Sequence, residues 1–87
     1  MSEIQERFEK AQVEVNTLPD KPGTADLLTL YSLFKQATEG DAADAEKPGA
    51  FDFVAKSKYD AWSKMDGKSA EDAKAEYVAT VDRLLGR

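Results

Sequence analysis

Tyr31 and Lys35 stand four residues apart in the run Tyr31-Ser32-Leu33-Phe34-Lys35-Gln36-Ala37-Thr38-Glu39-Gly40-Asp41, so a helix here sets an aromatic face one turn from an ammonium group. Leu28 precedes them on the same stripe. Aromatic faces stack on nucleobases and lysines act as compact charges for phosphate, so such a stripe could hold an anionic ligand that carries a ring. Lys56, Lys58, Lys64 and Lys68, against Asp60 and Asp66, add a cationic patch to a chain of net charge -5. Tyr59 and Tyr77 lie on segments that could face it. Each feature also has a plainer account. Lysine stems cover apolar surface on many helices, a lysine near a helix C-terminus complements the dipole, and tyrosines often sit half buried with the hydroxyl at the surface. The residues alone therefore reach a helical surface bearing aromatics and lysines, and no further.

Composition narrows the chemistry. The chain has no cysteine and no histidine, which removes the commonest general base, the commonest metal ligand, thiolate nucleophiles and disulfides. Only Asp, Glu, Lys and Tyr remain for acid-base work, so binding is favoured over catalysis, with neither catalytic nor metal-ligating residues expected. The acidic balance, with a pI near 4.6, argues against a general nucleic-acid binder. No apolar run approaches the ~18 residues of a membrane span, and the opening Met1 to Arg7 has no apolar segment of a signal peptide. A single domain over residues 1–87 and a cytoplasmic setting are the expectation.

The elements that must position the stripe are helices. Ser2 with Gln5 reads as a capping box, and Ile4, Phe8, Ala11, Val15 and Leu18 follow at helical spacing, predicting a first helix from about Ser2 to Val15. The segment Asn16 to Gly23, with two prolines, is a loop. Thr24 is the expected N-cap of a second helix to about Thr38, stopped by Gly40 in a left-handed cap. Along it Leu27, Leu30, Phe34 and Ala37 form the expected core stripe. The polar connection from Asp41 is long, which lets the next helix run parallel to the second. Asp52 opens a third helix to about Met65, with Ala55, Tyr59 and Trp62 on one stripe and Phe51 and Phe53 at its entrance. Ser69 with Asp72 starts a fourth helix to about Leu85, whose apolar face is Ala70, Ala73, Tyr77, Val81 and Leu84. No strand-like alternation occurs, so an all-α four-helix bundle is predicted.

Several ordered blocks together resemble the small acyl-CoA-binding protein family. They are Tyr31 to Asp41, Phe8 and Ala11, Lys47-Pro48-Gly49, Lys56-Ser57-Lys58-Tyr59-Asp60-Ala61-Trp62, Gly67, Ser69 to Ala73, and Tyr77. The resemblance covers nearly the whole chain. It implies an up-down-down-up bundle and a non-catalytic carrier of medium- to long-chain acyl-CoA esters that serves enzymes of lipid metabolism. It also implies no cofactor, no stable membrane insertion and a monomer. By the same resemblance Tyr31, Lys35 and Lys58 fall where the family contacts the adenosine 3'-phosphate, and Tyr77 where it stacks on adenine. Leu27 and Leu28 fall where acyl chain and pantetheine are lined, with Phe8, Gln12 and Val15 near the ligand from the first helix. Some positions depart: Asn16 and Val54 replace common lysines, Ala50 replaces a larger apolar residue, and the connection from Asp41 to Lys47 is one residue longer. The rival readings are a protein-interaction bundle that takes an amphipathic helix in its groove and, more remotely, an enzyme that uses acyl-CoA.

Overall fold

The computed structural model describes residues 2–87. Four helices, α1 (Glu3–Glu14), α2 (Thr24–Glu39), α3 (Phe53–Ser63) and α4 (Ala70–Leu85), are joined by loops with single 3-10 turns at Val15–Thr17 and Ala42–Asp44. Among the described residues there is no strand.

Three of the four helices start on a side-chain cap. Ser2 Oγ accepts the Gln5 N–H at 3.2 Å, Asp52 Oδ1 the Ala55 N–H at 3.1 Å, and Ser69 Oγ the Asp72 N–H at 3.1 Å. Two expectations at the starts are corrected. The Gln5 amide points down the helix to Glu9 Oε1 at 3.2 Å, so the returning half of the capping box is absent. Gly23, not Thr24, is the N-cap of α2, and Thr24 is its first helical residue. The ends differ as well. α3 stops at Ser63 because the Met65 N–H donates to the Trp62 carbonyl three residues back, at 2.8 Å, which tightens the chain into a turn. Gly40 ends α2 at φ 85° and ψ -151°, a backbone region open essentially to glycine alone and distinct from the left-handed cap expected there.

Side-chain bonds between helices fix their directions. Arg83 near the end of α4 pairs with Asp26 near the start of α2 at 2.7 Å, while Gln36 near the end of α2 donates to the Lys68 carbonyl just before α4 at 2.9 Å. Those two helices are antiparallel. Arg87 beyond α4 grips both carboxylate oxygens of Glu14 at 2.7 Å, which brings together the C-terminal ends of α1 and α4 and makes them parallel. Lys58 meets Tyr31 and Trp62 meets Lys35, in the same order along both chains, so α2 and α3 are parallel. The arrangement is up-down-down-up.

The core joins Phe8 and Ala11 of α1, Leu30, Leu33 and Ala37 of α2, and Ala73, Tyr77 and Val81 of α4. Phe8 sits edge-on to Tyr77 at 5.1 Å between ring centroids and lies 6.0 Å from Phe34. The α2 stripe is rotated from the expected one. Leu33 is buried, Phe34 packs at the margin of the core, and Leu27 is 38% exposed. The cause is that α2 packs on α4 along one side and on α3 along another. Two partners draw Ser32 and Gln36 inward as well as leucines.

Gln36 and Asp41 then tie the far end of the bundle together. The Gln36 amide donates to Asp41 Oδ1 at 2.7 Å as well as to the Lys68 carbonyl, and the Gly67 N–H donates to the same Asp41 oxygen at 2.8 Å. These bonds hold the Asp41 carboxyl below the usual carboxylate range, the Gly67 N–H contributing most. Nearby, Asp66 Oδ1 accepts the Ala42 N–H at 2.9 Å, and the Trp62 indole N–H donates to the Gly40 carbonyl at 2.8 Å. Half of the Lys35-to-Asp41 motif is thus a clasp that fixes α3 and its preceding connection against α2.

Candidate functional site

The parallel pairing of α2 and α3 builds a trough. At the end where α2 stops, a cavity of about 550 Å³ is lined by Tyr31, Lys35, Glu39, Glu46, Lys58 and Trp62, among others. Toward the start of α2 a cleft of about 450 Å³ is lined by Leu27, Leu28, Tyr31, Phe53, Val54 and Lys58. Tyr31, Val54 and Lys58 belong to both, so the two are one continuous space, charged at one end and apolar at the other. Beyond Leu27 the surface continues into a further cleft of about 420 Å³ bounded by Val15, Leu18, Leu27, Leu30 and Tyr77.

The two lysines that converge on the charged end are held differently. Lys58 comes from α3 and sets its ammonium 5.3 Å from the Tyr31 ring centroid. Lys35 comes from α2, lies 5.2 Å from the Trp62 ring centroid and forms an ion pair with Glu39 one turn on. A cation over an aromatic face is held in place without spending an N–H group on the ring, so the Lys58 ammonium can still donate to an anion, whereas the Lys35 ammonium already carries Glu39. The Tyr59 hydroxyl donates to the Ala42 carbonyl at 3.1 Å, which anchors the wall made by the α2–α3 connection. Charge, aromatic rings and an adjoining apolar channel are the recognition elements of an amphipathic anion.

The structure brings Tyr31, Lys35, Lys58, Leu27 and Leu28 to this one trough, and Val15 to its continuation. Of the three others singled out from sequence, Tyr77 also borders that continuation, whereas Phe8 and Gln12 do not line it. Phe8 is 2% exposed and belongs to the core, with its ring against Tyr77 and Phe34. Gln12 is half buried and turns its amide back to the Phe8 carbonyl at 3.3 Å. Tyr77 is 6% exposed and reaches only the third cleft, across Leu27 and Leu30 from the lysines, and burial raises the pKa of its hydroxyl. Sequence reasoning missed Trp62 as the support of Lys35, since its spacing marks it only as core. It also missed the carboxylates Glu39, Glu46 and Asp52 on the cavity wall, because a helix end and a loop give them no shared periodicity. Among the described residues no group of three or more acidic side chains is arranged to hold a metal ion.

Comparison with known proteins shows the family. A profile described as "Acyl CoA binding protein" matches residues 5–81. The chain belongs to the acyl-CoA-binding protein family. Among curated members it is 49% identical to the acyl-CoA-binding protein of Saccharomyces cerevisiae over 84 residues, covering 97% of this chain and 95% of that one. It is 48% identical to the acyl-CoA-binding protein homolog of Manduca sexta, covering 94% of this chain and 91% of that one. The crystal structure of Oryza sativa acyl-CoA-binding protein 2 superimposes with a TM-score of 0.87 at 42% identity, over 95% of this chain and 91% of that one. Within this family the four-helix architecture is shared, and among the described residues no helix is long and apolar enough to cross a membrane.

Proposed function

We propose that this protein is a single-domain, non-catalytic binding and transport protein for medium- to long-chain acyl-CoA esters. The observation that carries the reading is the continuity of the trough. Lys35 and Lys58 stand on aromatic faces at its charged end, and Leu27, Leu28, Phe53 and Val54 line its apolar end. In this reading Lys35 and Lys58 take the 3'-phosphate, Tyr31 offers a ring beside it, and the acyl chain and pantetheine run past Leu27 and Leu28. Val15 and Tyr77 meet the ligand where the third cleft continues the trough, and Phe8 and Gln12 support that wall from α1. No catalytic group and no cofactor take part. The protein acts as a cytoplasmic monomer that holds a pool of esters for acyl-CoA-using enzymes of lipid metabolism.

The physical chemistry fits the assignment. A hydrogen bond to a charged group is worth ~1.5 to 3 kcal/mol, so two convergent ammoniums suit a doubly charged phosphate. Each CH2 withdrawn from water adds about 0.8 kcal/mol at full burial, so a long chain outweighs any one polar contact even when only partly shielded. Calorimetry tests the reading: palmitoyl-CoA binds tightly, CoA alone weakly and free palmitate hardly at all. Equal binding of palmitate and palmitoyl-CoA would overturn the nucleotide anchor, and turnover of the thioester would make the protein an enzyme.

A further inference from the structure

The charged end of the trough contains its own competitor for the ligand. Glu39 follows Lys35 by one helical turn, lines the same cavity and forms an ion pair with the Lys35 ammonium. Its side chain is 52% exposed, against 23% for Lys35, so the carboxylate is the more solvated partner and the ammonium the more enclosed one. The lysine is held from below by the Trp62 ring at 5.2 Å, and Trp62 is itself buried and tied through its indole N–H to the Gly40 carbonyl. A phosphate approaching Lys35 therefore meets a cation whose open side already carries a carboxylate.

Other acidic groups on this wall do not hold Lys35. Asp52 spends one oxygen on the Ala55 N–H as the cap of α3, and Glu46 lies on the α2–α3 connection. Among the described residues Lys58 forms no ion pair and instead faces the Tyr31 ring. The two cations of the site are thus unequal before any ligand arrives.

We infer that Glu39 is an internal counter-ion that competes with the ligand's phosphate for Lys35 and sets the affinity of this site below what its two lysines alone would give. The inference rests on the acyl-CoA reading above and adds a residue to it. When the phosphate binds, the Lys35–Glu39 pair must open or accept a second anion at close range, and either course costs affinity. An exposed i,i+4 pair is modest in strength, so the effect of removing the carboxylate is about two- to fivefold in Kd.

The test measures binding of palmitoyl-CoA and of 3'-dephospho-palmitoyl-CoA to four proteins: wild type, Glu39→Gln, Lys35→Met and the double variant. Glu39→Gln should tighten the phosphate-bearing ester about two- to fivefold, leave the dephospho ester unchanged, and lose its effect in the Lys35→Met background. An unchanged or weakened affinity in Glu39→Gln overturns the inference, as does an equal gain for both esters or a gain that persists without Lys35. Wild-type protein that does not prefer the phosphate-bearing ester refutes the phosphate anchor and takes this inference with it. A retained preference with no gain in Glu39→Gln refutes Glu39 alone. Circular dichroism of each variant separates these outcomes from loss of fold, which is not expected for an exposed carboxylate at a helix C-terminus, where removing negative charge favours the helix dipole.

Discussion

The Lys58 ammonium lies 5.3 Å from the centre of the Tyr31 ring, joining α3 to α2 across the middle of the trough. Both side chains line its charged and its apolar halves. Removing either therefore affects the junction between phosphate and chain. Lys58→Ala should weaken palmitoyl-CoA by roughly 10- to 100-fold, from the ~1.5 to 3 kcal/mol of a charged hydrogen bond, with little change in Tm. Calorimetry paired with thermal melts checks it.

Lys35→Ala should behave in a mixed way. Its ammonium faces the cavity, yet its stem packs on Trp62, so stability falls by ~0.5 to 1 kcal/mol while affinity falls at least tenfold. A large drop in Tm with unchanged affinity would show that the residue serves the fold alone.

Phe8→Ala and Phe34→Ala should not cost the same. Phe8 is fully enclosed against Tyr77, and its truncation is expected to cost ~3 to 5 kcal/mol. Phe34 packs at the margin of the core, so its loss should fall below ~3 kcal/mol. Urea unfolding of the two variants ranks them.

Acid should loosen the molecule at two identified places. The Asp41 carboxyl sits below its ordinary 3.8 because the Gly67 N–H and the Gln36 amide bond its charged form, and Glu14 sits below its ordinary 4.5 because Arg87 does the same. A depressed folded-state pKa means the charged form is favoured in the fold. The stability it brings is present above these ordinary values and is lost as pH falls through the lower folded values. Tm should hold steady from neutrality to about pH 5 and drop below about pH 4. Asp41→Asn should lower Tm at pH 7 and make the acid drop shallower, which melts across pH will show.

Ligand affinity should rise with acyl length. Each added methylene is expected to gain up to ~0.8 kcal/mol, about fourfold, until the chain outgrows the cleft lined by Leu27, Leu28, Phe53 and Val54. Val54→Lys should flatten the dependence by placing a charge on the apolar wall. A calorimetric series from octanoyl- to stearoyl-CoA for both proteins measures the slopes.

Much of this protein was legible in its sequence. Local rules set the helices: the Ser2, Asp52 and Ser69 caps, the 3.6-residue recurrence of Phe8, Ala11, Ala73, Tyr77 and Val81, and the stop at Gly40 all depend on neighbours within a turn or two. The stripe of Leu28, Tyr31 and Lys35 was visible for the same reason. What only the tertiary structure decided depends on which helices touch. Because α3 runs parallel to α2, Lys58 reaches Tyr31 and Trp62 reaches Lys35, pairs separated by 27 residues of chain that no period links. Because α2 packs against both α3 and α4, its core stripe turned to Leu33 and left Leu27 facing the cleft. Because Phe8 packs edge-on into Tyr77, the Phe8 ring lies in the core and Tyr77 borders the site only along the third cleft. Periodicity fixes the face of a helix to within a rotation; the partner packed against it fixes the rotation, since that partner determines which side chains lose their water.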